Sequence, residues 1–107
     1  MFKLKDVKLN AGATLNEYGE VVIYAKGYQV SHKDLMIIPV YKLTKKLIME
    51  CIMDLLHGEH LGIWIDNGKA YIDLSEHIAT KREAMKAGRQ RKQLSIWNWK
   101  AGEAIAC

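Results

Sequence analysis

Proline occurs once and cysteine twice in these 107 residues. Cys51 lies inside an apolar helical pattern and Cys107 is the last residue, a number and spacing that exclude a disulfide framework, so both are expected to be free thiols. Long hydrophobic runs are also missing. The longest, Leu47 to Leu56, is broken by Glu50 and Asp54 and falls well short of the roughly 20 apolar residues a bilayer span requires. Met1–Asp6 has no apolar h-region, and the expectation that follows is a cytoplasmic location. No internal repeat, low-complexity tract or Ser/Pro-rich linker divides the chain. A glycine-rich phosphate loop, a GxSxG elbow, an HExxH pair and paired-carboxylate spacing are all absent. The chemistry those motifs carry has no sequence support, and the expectation is a protein that is not an enzyme and holds no cofactor and no metal. His57 and His60 do form an H-x-x-H with Glu59 between them and His77 downstream. A helix ends near Gly58, however, so the two imidazoles need not share a face.

What is present is enough for a core. Half of the residues are apolar and 26% are charged, which fits one compact domain over residues 1–107 and is incompatible with disorder. Lys3 to Leu9 and Val21 to Val30, with a turn at Asn16–Gly19, suggest an opening β-meander. His32 to Tyr41 is ambiguous, and Pro39 argues against a central strand there. Thr44 is a good N-cap for a helix whose rows Leu47/Cys51/Leu55 and Ile48/Ile52/Leu56, widened by Met49 and Met53, predict burial on most sides, with Gly58 ending it. Asn67-Gly68 predicts a type I′ hairpin. Its register sets Asp66 opposite Lys69, Ile65 opposite Ala70, Trp64 opposite Tyr71, Ile63 opposite Ile72 and Leu61 opposite Leu74. Thr80 with Glu83 forms a capping box for a second helix, whose small stripe Ala84, Ala87 and Gly88 suits close approach to a sheet. Leu94–Trp99 and Ala104–Cys107 predict a last hairpin around Ala101-Gly102. The fold expected is α+β, an antiparallel sheet of about five or six strands with two helices, in the order ββ(β)-α-ββ-α-ββ.

Two features carry a functional expectation. The net charge is +4, but Lys81, Arg82, Lys86, Arg89, Arg91 and Lys92 stand against the single Glu83, a local net of +5. A helix face of this kind is either simply solvated or a site for phosphates or an acidic protein surface. The second feature is aromatic. Alternation puts Trp97 and Trp99 on the side away from Ile96 and Ile105, and Trp64 with Tyr71 on the side away from the aliphatic residues of their hairpin. Either a helix covers these rings as a second apolar layer, or they form an open patch of the type enriched in binding hot spots. An open patch next in sequence to the basic helix would give one surface with an apolar centre and a cationic rim. Trp97 and Trp99 on an edge hairpin would also suit a homodimer.

Gly62–Asp66 and Asn67–Asp73, followed by Thr80–Arg89 and Gln93–Trp99, resemble small accessory proteins of phages and mobile elements of Gram-positive bacteria, anti-CRISPR and other anti-defence inhibitors among them. The resemblance covers the C-terminal half and brings no catalytic motif. It implies a non-catalytic inhibitor in the host cell, bound to a host defence protein or ribonucleoprotein effector. A small nucleic-acid-binding module of phage replication or transcription is the alternative, with the basic helix on phosphates.

Overall fold

Asn67 and Gly68 take φ angles of +50° and +76°, the left-handed pair a type I′ turn needs. They join β3 (His60–Asp66) to β4 (Lys69–Ile78) in the register expected, from Asp66 opposite Lys69 through Leu61 opposite Leu74. In the computed structural model, which describes all 107 residues, this hairpin lies within one antiparallel sheet. β1 (Gly12–Leu15), β2 (Tyr28–Pro39), β5 (Ser95–Asn98) and β6 (Glu103–Ala106) complete it, in the spatial order β1-β3-β4-β2-β5-β6. Three helices accompany the sheet: α1 (Leu4–Leu9), α2 (Lys45–Met53) and α3 (Lys81–Gln90). The chain is a single α+β domain. No helix is long and apolar enough to cross a membrane.

The opening meander is corrected. Lys3–Leu9 is not a strand but contains α1, in which Leu4 and Val7 lie three apart and turn toward the core while Leu9 stays exposed. The first strand begins only at Gly12, where φ is +138° and an added Cβ would lie 2.1 Å from the Ile63 carbonyl oxygen. We expect Gly12→Ala to loosen β1 and to destabilise the domain by more than about 1 kcal/mol in a urea melt, because a backbone atom cannot move aside as a side chain can. The Asn16 turn is present, its Oδ1 accepting from the amides of Tyr18 and Glu20. Val21 then makes only a single bridge to Leu15, and the strand expected from Val21 starts at Tyr28.

β2 is the longest strand and is central, against the expectation from Pro39. That proline is its last residue, and only β4 adjoins β2 there because β5 pairs solely with Tyr28 and Gln29. A missing N–H at such an end breaks no shared ladder. Two bulges, between Ser31 and Lys33 and between Asp34 and Met36, bend the strand.

Thr44 caps α2 by accepting from the Leu47 amide, but the helix stops at Asp54, before Gly58. Burial is also narrower than the apolar rows predict. Ile48, Cys51 and Ile52 are buried, Leu47 is only partly so, and Met53 and Leu56 are 82% and 71% exposed. The capping box of α3 is in place, with Thr80 accepting from the Glu83 amide. Ala84 is fully buried, and a Cβ at Gly88 would fall 2.7 Å from the Cys107 sulfur.

All three helices serve one side of the sheet. Ile72 and Leu74 of β4 join the core of Leu15, Ile48, Ile52 and Val7, and Ile78, on the same face by alternation, packs with Val30, Ala84 and Ile96 under α3. The opposite face carries His60 and Trp64 of β3, Tyr71, Asp73, Ser75 and His77 of β4, Gln29, Ser31 and Asp34 of β2 and Trp97 of β5. No helix lies on it.

Candidate binding surfaces

The expected basic face exists on α3 with one member displaced. Lys81, Arg82, Lys86 and Arg89 are exposed, and none has a carboxylate within ion-pair distance. From Arg82 to Arg89 the row extends about 10 Å along the helix. Arg91 does not belong to it. Its guanidinium pairs with Glu76 of β4, and its other terminal nitrogen is buried without a partner. The cause is that Arg91 stands just past the last helical turn, where the chain swings back over the sheet. Lys92, in the left-handed region at φ +57°, is exposed but off the helical row.

The tryptophans lie on the open face, so the alternative in which a helix covers them does not hold. They also do not share a surface with α3, which corrects the expectation of one apolar centre with a cationic rim. Ile96 is buried under the helix, and its neighbour Trp97 must point to the other side. Nor do the four aromatics form one patch. Trp64 and Tyr71 pair with ring centres 5.5 Å apart, and Trp97 meets Trp99 edge-on at 6.4 Å. Along β4 the run from Tyr71 to His77, which aligns through Gln29 with Trp97, spans about 20 Å. The predicted hairpin does put β6 at the sheet edge, but Trp99 is drawn inward. Its Nε1–H donates to Gln29 Oε1, and Gln29 Nε2 donates to Ser75 Oγ at 2.9 Å.

Between the two aromatic pairs sits a polar layer that the linear sequence does not announce. The loop before β2 lays Tyr24 flat on His77 at 3.9 Å and edge-on to His60 and Trp99. The Tyr24 hydroxyl and His60 Nε2 are 2.8 Å apart, and His77 donates from Nε2 to the Lys26 carbonyl. Gly27 has to lack a side chain, since a Cβ would lie 2.3 Å from that same nitrogen. Burial first, and His77 second, hold His60 below the usual imidazole range. His57 and His60 diverge: His57 is exposed and faces Glu17, while His60 points into this layer. The one signal available in the sequence was the alternation of His60 with Leu61 and Ile63, which puts the ring on the face with Trp64. Burial likewise pushes the Cys51 thiol up, with Asp54 and Glu50 adding to it, which leaves an inert core thiol.

Beside this layer Asp73 lies directly opposite Asp34, on adjacent central strands. Its carboxylate folds over Gly62, where a Cβ would be 2.1 Å from Asp73 Oδ1. Burial above all, with the Asp34 charge, pushes Asp73 up to about 6; the Ser31 hydroxyl, His32 and the Gly62 amide act in the other direction. His32 itself is taken up by Glu59.

No protein-family model, curated protein or solved structure matches this chain.

Proposed function

We propose that the protein performs no chemistry of its own and acts as a phage or mobile-element accessory protein. In the host cytoplasm it would bind and inhibit a host defence component through the outward face of α3. The observation that carries this reading is the row Lys81, Arg82, Lys86 and Arg89, four exposed cations without an internal counter-charge on a helix anchored by Ala84 and Gly88. Paired cations would be committed to the fold, whereas free ones on a rigid helix are available to an acidic protein surface or a ribonucleoprotein. Phosphates would satisfy the same guanidinium groups, and the nucleic-acid module is the second reading. It is limited by the tryptophans lying across the sheet, which leaves α3 to grip the backbone without stacking bases.

The test is plating of phage on hosts that carry defined defence systems, with and without the gene. The gene should rescue plating against at least one system. The double reversal Arg82→Glu with Lys86→Glu should abolish that rescue while shifting stability by no more than about 0.5 kcal/mol, as exposed substitutions do. Rescue by the reversed variant, or none by the natural protein, would overturn the reading. Should bare DNA or RNA bind instead, contact by the four cations predicts a log-log salt slope of about −3 to −4.

A further inference from the structure

We propose that the open sheet face between Trp64 and Asp34 is a second binding surface, one that receives an arginine side chain from an extended segment of a partner polypeptide. Trp64, Tyr71 and Ile37 stand in register across β3, β4 and β2 and form an apolar row that no helix covers. Trp64 and Ile37 are each 61% exposed. Isolated exposed apolar residues are ordinary, but three neighbours across adjacent strands make a continuous surface.

The charge beside the row selects its occupant. Asp34 and Asp73 lie opposite each other one step along the same face, and like charges in that position destabilise a strand pair. Neither forms an ion pair within the fold. His32, whose imidazole acts on Asp73, is itself paired with Glu59, and Lys69 stands opposite Asp66. On a chain of net charge +4 this corner is therefore locally negative. A cation from outside would relieve the repulsion. Among cations, guanidinium fits best: its plane stacks on an indole while its fork donates to a carboxylate, and Trp64 is diagonal to Asp73 on one face. Gly62, between His60 and Trp64 on that face of β3, has no side chain, and the Asp73 carboxylate lies in the space a Cβ would take.

This surface does not depend on α3, and its test separates the two. The probes are a capped peptide of glycine and serine with one central arginine, and the same peptide with citrulline, which keeps the shape and removes the charge. Both are titrated at pH 8 against the full chain, following the Trp64 indole and the Gly62 and Asp73 amides by NMR. The arginine peptide should saturate these signals and the citrulline peptide should not. Trp64→Ala and Asp34→Asn should each weaken binding about tenfold, as expected on removing a partner from a charge-assisted contact. Asp34 is exposed, so its substitution leaves the fold intact. Arg82→Glu with Lys86→Glu should leave the titration unchanged. Equal shifts from both peptides, no saturation up to the peptide solubility limit, or undiminished binding by Asp34→Asn would each overturn the proposal.

Discussion

Asp73→Asn will stabilise the domain at pH 8 by up to about 3 kcal/mol, a large gain for a single side-chain substitution. The folded protein holds this carboxyl at about 6 against an ordinary 3.8, chiefly through burial. A folded-state pKa raised in this way makes the group's contribution to stability complete below about pH 4. That contribution is lost as pH rises through about 6, because ionisation then occurs in a poorly solvated place facing Asp34. Asparagine keeps the size and an acceptor oxygen without the charge. Urea melts from pH 4 to pH 8 check the sign: the variant and the natural protein should converge at the acid end, separate between pH 4 and 6, and run parallel above 7. Parallel curves throughout would show that Asp73 titrates normally. The same substitution should weaken the arginine peptide, so stability and binding move in opposite directions at one residue, a trade expected where a fold retains an unfavourable charge for use.

Ile48→Ala should destabilise by about 2 to 5 kcal/mol, a large part of the 5–15 kcal/mol typical of a whole domain. Ile48 is fully buried at the centre of the face α2 presents to the sheet. The loss combines transfer free energy with the cavity left behind, and a domain of this size should melt at least about 10 °C lower. Met53→Ala, five residues on in the same helix but 82% exposed, should leave the melting temperature nearly unchanged. Leu47→Ala should fall between them, because Leu47 only flanks the core. The apolar rows of α2 alone made these three positions look equivalent. Helical periodicity places residues on a face, but how much of the helix circumference finds a neighbour depends on the sheet it meets.

Local rules read well wherever the determining groups are close in sequence. Asn67-Gly68 supplies its own positive φ angles, Thr44 and Thr80 cap helices by bonds to amides three residues on, and alternation alone separates Ile96 from Trp97. Where the determining groups are distant in sequence, local rules do not reach the outcome. Lys3–Leu9 became a helix because Leu4 and Val7 found the core from one side, and Pro39 ended a central strand without breaking it because β5 does not reach that far.

The sequence by itself determined the class of the fold, the β3–β4 register, both longer helices and the cationic character of α3, all through interactions within a turn or between consecutive strands. Only the tertiary structure decided that α3 and the tryptophans face opposite ways and that Arg91 is tied to Glu76. It alone brought Tyr24 between His60 and His77, and Asp34 opposite Asp73. The physical reason is the range of the forces concerned. Capping, turn geometry and periodicity act between neighbours, whereas burial, charge opposition and ring stacking depend on which strands adjoin, and strand order here, β1-β3-β4-β2-β5-β6, is set by the collapse of the whole chain onto one core.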